Sequence, residues 1–252
     1  MPRPAAVATV KRIVTDGKEG ARRVAIYYAG GAKVQEIGTS EREIKGAAHY
    51  YAVAGARWFG GSCAALGVVE GSVVHERDLE RLLRQQDPRT GELLPNNGTK
   101  RAKVAAFDLT ISVPKELSIY YLMADAETQS VIYEIIEEAN RSALEYAQTY
   151  GSKVRRGKDG IVPLSSDGFI VPQTFHPAAR PVDGKTAPSL HFHNPILNMA
   201  VRNGVVTALN AKEIFGLQKT FGALAGQIIR DQTEELLGFH WIYDDKGIPR
   251  VE

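Results

Sequence analysis

Three of the chain's six histidines fall between positions 176 and 193. His191 and His193 flank a single phenylalanine in Ser189-Leu190-His191-Phe192-His193-Asn194. Successive side chains of an extended strand alternate faces, so the two imidazoles share one face, about 7 Å apart along the strand, with Phe192 on the other. The segment 168–176 (GFIVPQTFH) also reads as a strand, and a loop rich in Pro, Gly and Lys joins it to the first. Folding that loop back as a hairpin brings His176 beside the pair. Three neutral nitrogen donors with a coordination position left open match a catalytic rather than a structural metal site. An isolated His-x-His is weak evidence of metal binding, so the case needs further residues.

Tyrosines supply some of them. Tyr27-Tyr28 and Tyr50-Tyr51 form two pairs about two dozen residues apart. Half-buried packing with the hydroxyl at the surface accounts for any single tyrosine. Placed beside a cation, one of them is instead a candidate nucleophile. A phenol ordinarily ionises near pH ~10, so it acts at neutral pH only if a base or cation helps remove its proton. Asp108 is the other anomaly, a carboxylate inside the apolar run VAAFDLTISV at 104–113. Burial there is costly unless the group is paired or near a cation. A sheet-edge or turn position is one explanation. The other is a carboxylate that orients a ligand imidazole or acts as base near the nucleophile.

The elements that must position these groups are legible in outline. Residues 7–14 read as a first strand, and 18–28 as a helix that ends at Gly30-Gly31 and carries Tyr27 and Tyr28 near its end. Thr39-Ser40-Glu41-Arg42-Glu43 has the pattern of a helix start, and residues 76–86 form an amphipathic helix with Leu79, Leu82 and Leu83 on one face. Pro95-Asn96-Asn97-Gly98 reads as an exposed turn. Residues 104–113 are the clearest strand, and Pro114-Lys115 opens a helix. A helix over 127–150 is acidic outside (Glu134, Glu137, Glu138, Glu145), and a basic loop, Lys153 to Lys158 with Arg155-Arg156, follows it. After the histidine strands, the second of which runs on to Met199, come a hairpin ending at 205–209, a long helix over 211–237 and a last strand over 239–243.

At 252 residues, with 44% apolar and 24% charged residues, the chain can build one large domain and is neither disordered nor fibrous. No repeat or linker divides it. It has no membrane-length apolar run and no signal-peptide pattern. One cysteine, Cys63, excludes an internal disulfide, fits a reducing cytoplasm, and reads as a small packing residue within GGSCAALG. The net charge of +2 makes no global polycation. Local surpluses in residues 1–50 and in the 153–158 loop could neutralise phosphates, or be solvated turns. There is no G-x-x-x-x-G-K-[ST] phosphate loop.

Three segments taken in order resemble a known family. Phe107-Asp108-Leu109-Thr110-Ile111-Ser112-Val113-Pro114-Lys115 resembles the D-L-T-F-S-A-P-K-S stretch of TrwC/TraI-type conjugative relaxases. Phe175-His176-Pro177-Ala178-Ala179-Arg180 followed by Leu190-His191-Phe192-His193 is similar to their F-x-H-x-x-S-R and Q-L-H-T-H. Tyr50-Tyr51 through Arg57-Trp58, Gly60 and Ala64-Ala65-Leu66-Gly67 is similar to their Y-Y…R-W-x-G…A-A-x-L-G. The chain departs from the family in a longer loop between His176 and His191, in Ala179 where the family has serine, and in Asn194-Pro195 where it has an apolar run. Its tyrosine pairs are also further apart.

The resemblance implies an HUH endonuclease of α+β class: a central antiparallel sheet of about five strands carrying the histidines, with helices packed on one side. It implies one relaxase domain over 1–252 with no helicase domain in the chain, in a bacterial cytoplasm. Carried over residue by residue, Tyr27 is the nucleophile, with Tyr28 beside it and Tyr50 as a second tyrosine. Asp108 assists the histidines, and His176, His191 and His193 hold one divalent metal ion. Arg180, Lys115, Arg155 and Arg156 are candidate phosphate contacts on DNA by their charge, with ordinary surface as the alternative. The class implies Mg or Mn, whereas three imidazoles by ligand preference suit Mn, Zn, Ni or Co. Implied partners are single-stranded and hairpin DNA at an origin of transfer, accessory relaxosome proteins and a coupling protein. An HUH rolling-circle initiator or transposase, a DNA-binding module without cleavage, and a three-histidine metallohydrolase acting on small molecules remain as alternatives. Replication initiators usually place their tyrosines after the histidines, and the metallohydrolase has no use for the tyrosine pairs or the basic loop.

Overall fold

The β-branched and aromatic run at 104–113 becomes the strand around which the sheet is assembled. The structure, a computed structural model, describes residues 3–29, 55–94, 104–156 (backbone only at 155 and 156), 162–179, 183 and 186–251. The chain begins with β1 (Val7–Val14), α1 (Gly17–Ala29), β2 (Arg57–Phe59) and α2 (Glu76–Leu83). Strand β3 (Val104–Ser112) leads into α3 (Lys115–Met123) and the long α4 (Ala126–Gly151), which Asp125 caps by accepting the Thr128 N–H at 2.8 Å. Then come β4 (Lys153–Arg156), β5 (Val162–Ser165), β6 (Val171–Ala178) and β7 (Pro188–Leu197). The remaining elements are β8 (Ala200–Arg202), β9 (Val205–Thr207), α5 (Ala211–Gly216), α6 (Gln218–Leu237), β10 (Trp241–Tyr243) and β11 (Pro249–Val251).

The central sheet has five strands in the order β1-β3-β7-β6-β2, every neighbouring pair antiparallel. Alternation divides it into two chemically different faces. Val10, Leu109, Ile111, Phe192 and Ile196 are buried against Ile132, Ile136 and Ala143 of α4 and Phe221, Ala225 and Ile229 of α6. Each such side chain contributes about 1.5–3 kcal/mol on burial, which is what fixes the register of the strands. Helix α6 comes so near the residues leading into β1 that a Cβ on Gly226 would stand 2.7 Å from the Ala5 and Ala6 nitrogens. The opposite face holds the histidines, and α1 and α2 lie on it. Ala21, Ala25 and Tyr28 of α1 and Leu79 and Leu82 of α2 pack there with Trp58, Ala106 and Leu197.

Local differences from the sequence reading have local causes. Residues 153–156, expected as a loop, are strand β4 paired with β5, because Val154 is fully buried in the core and bridges Leu209. The helix expected over 211–237 is two helices broken at Gly216-Leu217, where glycine lowers helix preference. The first histidine strand starts at Val171 instead of 168, since Gly168 has φ +140° and the Phe169 N–H donates to Gln148 Oε1 at 2.9 Å. Cys63 is buried, and desolvation with nearby Glu70 pushes its thiol up to about 12, the state of an inert packing residue. The helix start at 39–43 and the turn at 95–98 lie outside the described residues. No helix among the described residues is long and apolar enough to cross a membrane.

Candidate active site

Register brings the histidines together. His176 on β6 pairs directly with His191 on β7, and His193, two residues along β7, shares the face of His191. One nitrogen from each of the three lies within 4.8 Å of the others, a spacing at which they could hold one metal ion. Their ring centroids are 4.9 to 5.3 Å apart.

Hydrogen bonds decide which nitrogens face inward. Nδ1 of His191 lies 2.8 Å from the Ser189 carbonyl oxygen, which can only accept, so Nδ1 carries the proton and Nε2 keeps its lone pair. Nδ1 of His193 lies 2.7 Å from Asp108 Oδ2, which fixes that ring in the same tautomer. Desolvation pushes His191 below the usual histidine range, opposed by the Ser189 carbonyl and aided by the nearby His193, while Asp108 opposes it weakly. A neutral imidazole with Nε2 free is the state a metal ion requires. The donor set therefore fits a divalent cation.

Asp108 is the hub of the site. It is 5% exposed, and its Oδ2 accepts from His193, from the Tyr28 hydroxyl at 3.1 Å and from the Thr110 hydroxyl at 3.3 Å. Thr110 Oγ1 also stands 3.2 Å from His193 Nδ1. The anomaly in the apolar strand is thus a paired carboxylate on the histidine face.

Helix α1 brings the tyrosines to the same place. The Tyr27 hydroxyl is 3.4 Å from His193 Nε2, and its ring centroid lies 5.3 Å from that of His176. Tyr28 stands edge-on to the His193 ring, centroids 5.6 Å apart, but its hydroxyl goes to Asp108, and its carbonyl accepts the Thr174 hydroxyl at 2.6 Å, which ties α1 to β6.

The basic residues are placed unevenly. Lys115 opens α3 and donates to the Pro188 carbonyl at 2.7 Å, at the start of the strand that carries His191 and His193. Arg155 and Arg156 lie on β4, in a two-stranded sheet separate from the central one, and their side chains lie outside the described residues. Tyr50 and Arg180 lie outside them altogether. Thr110, Ser189 and Thr174 escaped the sequence reading. For Thr110 a signal existed: it sits two residues from Asp108 on a strand, and so on the same face. Ser189 contributes its main-chain carbonyl, which no side-chain pattern signals.

An antiparallel sheet that presents three imidazoles to a carboxylate and a helix-borne phenol defines a metal-centred enzyme with a tyrosine at its cation site. The chain belongs to the TrwC relaxase family, whose model matches residues 21–252. It is therefore a relaxase, a metal-dependent DNA nickase. Among solved structures it is similar to the conjugative relaxase TrwC in a metal-bound complex with oriT DNA, at 22% identity and a TM-score of 0.72, covering 97% of this chain and 75% of that one. A copper-bound TrwC complex with oriT DNA gives the same identity, TM-score and coverage. TrwC complexed with a 27-mer DNA comprising the recognition hairpin and the cleavage site matches at 22% identity and a TM-score of 0.70, over 97% of this chain and 74% of that one. At this identity the likeness establishes the shared fold. No curated protein is similar in sequence.

Proposed function

We propose that this relaxase nicks one DNA strand at an origin of transfer through Tyr27, forming a 5′-phosphotyrosine linkage that can later be resealed. The observation that carries the reading is the Tyr27 hydroxyl 3.4 Å from Nε2 of His193. His176, His191 and His193 would hold the divalent cation, Mg or Mn in function although imidazole donors also suit Zn, Ni or Co. When bound, that cation supplies Lewis-acid stabilisation of the charge that builds on the phosphate oxygens.

The chain's own residues do the rest. Asp108 and Ser189 hold the His193 and His191 rings with their Nε2 lone pairs facing the site. Thr174 and Tyr28 hold α1 against the sheet and so place the phenol. The Tyr27 oxygen forms the new bond to phosphorus as the bond to the 3′-oxygen breaks. The phenol loses a proton and the departing oxygen gains one, leaving a 3′-hydroxyl. One phosphoester replaces another, so the linkage keeps the energy needed for rejoining. Lys115, Arg155, Arg156 and Arg180 supply cationic contacts along the DNA backbone, and Tyr50 is a candidate for a second transfer step. The DNA partner is single-stranded with an adjoining hairpin, and accessory relaxosome and coupling proteins complete the assembly. Residues 1–252 act as one nicking-and-joining domain.

The test is a suicide oligonucleotide spanning an origin of transfer, incubated with Mn²⁺. A covalent adduct is expected with the unmodified protein and lost in Tyr27→Phe. An adduct that persists in Tyr27→Phe and disappears in Tyr28→Phe or Tyr50→Phe overturns the assignment.

A further inference from the structure

Strand β7 carries a proline two residues after His193, in the middle of the central sheet. The Leu197 N–H donates to the Ile170 carbonyl at 3.0 Å, and the Leu190 carbonyl accepts from Val113 on the other side at 3.2 Å. Odd-numbered residues of β7 therefore direct their backbone groups toward β6 and even-numbered ones toward β3. At position 195 the group that should face β6 is a proline nitrogen with no hydrogen to donate. Pairing between β6 and β7 accordingly ends at Thr174–His193 and resumes only with the Leu197 bond. The segment just behind His193 is held by the ladder on one side only.

A buried amide pair occupies that position from the opposite face. Asn194 and Asn140, both 0% exposed, bond reciprocally: Asn140 Nδ2 donates to Asn194 Oδ1 at 3.1 Å, and Asn194 Nδ2 to Asn140 Oδ1 at 2.7 Å. Asn194 Nδ2 also donates to the carbonyl of Leu109, its partner on β3, at 2.9 Å. Two amides in an otherwise apolar layer are costly to desolvate, and an apolar pair would fill the same space. What the amides add is direction, because they hold β7 to α4 and β3 at one register.

We infer that Asn140 and Asn194 are positioning residues for the cation site, fixing the stretch of β7 that Pro195 leaves without a ladder to β6 and so the place of the His193 imidazole. The inference rests on the reading that the histidine trio holds a divalent cation. Neither asparagine touches the trio. They act through the backbone of β7, from the far side of the sheet.

The test compares Mn²⁺ affinity, measured by calorimetry without DNA, with thermal midpoint. The pair Asn140→Leu with Asn194→Val replaces both partners by apolar groups, which keeps the layer filled. It is expected to melt near the unmodified protein yet bind Mn²⁺ about tenfold more weakly, at the low end of what supporting residues of metal sites contribute. Asn140→Ser, which leaves the Asn194 side chain only its bond to the Leu109 carbonyl, is expected to melt below the double variant and to weaken Mn²⁺ binding by less than about tenfold. Unaltered Mn²⁺ affinity in these variants, whatever their melting behaviour, overturns the inference and leaves the amides a packing role. A different failure marks the underlying reading: unmodified protein that binds no Mn²⁺, or binds it equally as His191→Ala, removes the cation site itself.

Discussion

Asp108 and His193 meet across adjacent strands with Oδ2 2.7 Å from Nδ1, both side chains largely out of solvent. The other carboxylate oxygen, Oδ1, is buried and has no hydrogen-bond partner among the described residues. A carboxylate held this way is worse solvated than it would be in water, and its value lies in orienting the ring. Asp108→Asn keeps the shape and removes the charge. Mn²⁺ affinity is expected to fall by about 10- to 100-fold, and the metal-free protein to melt lower, because the three bonds to Oδ2 lose their charged acceptor. Calorimetric titration and a melting curve on the same sample separate the two effects. Equal affinity in the variant would show that the carboxylate does not support the site.

Tyr28 and Tyr27 adjoin in sequence, but their hydroxyls go to different partners. Tyr28→Phe deletes the bond to Asp108 Oδ2 and leaves Tyr27 in place. The variant is expected to keep forming the covalent adduct, and to lose about 1.5–3 kcal/mol of stability, the usual worth of a hydrogen bond to a charged group. Urea denaturation measures the loss, and the suicide oligonucleotide shows the retained adduct. An adduct that vanishes in Tyr28→Phe with the fold intact would exchange the roles of the two tyrosines.

His191 has its basicity lowered mainly by burial, from the usual 6.5. The sign follows from linkage: below 6.5 the unfolded chain binds a proton at this residue that the folded protein resists. Its contribution to stability is therefore present above about 6.5 and is lost as pH falls from there toward the lower folded value. Urea midpoints in chelator are expected to decline between pH 7 and 5, and to decline less in His191→Gln. A variant whose midpoints follow the same slope as the original would place the pH dependence elsewhere.

The histidine trio was legible because a period of two leaves no freedom. Once 191 and 193 lie on a strand they share a face, and a hairpin to 176 delivers the third ring. Asp108 was legible for the same reason, as a charge that an apolar strand tolerates only with a partner. The strand at 153–156 was not, because four residues with three basic side chains look solvated although Val154 enters the core. Asn140 and Asn194 are 54 residues apart on a helix and a strand. No local pattern signals a bond formed only when tertiary packing brings two surfaces together. The division of labour between Tyr27 and Tyr28 follows from helix geometry, since neighbours on a helix point about 100° apart.

The phenol and the imidazoles belong to different pieces of the molecule. In the proposed intermediate the DNA end would hang from α1, while the cation's ligands sit in the sheet. Tension on a strand being drawn away would thus be borne first by the Thr174–Tyr28 and Tyr28–Asp108 bonds. That mooring, more than the ligand cage, would set how hard the captive end can be pulled before the geometry for resealing is spoiled.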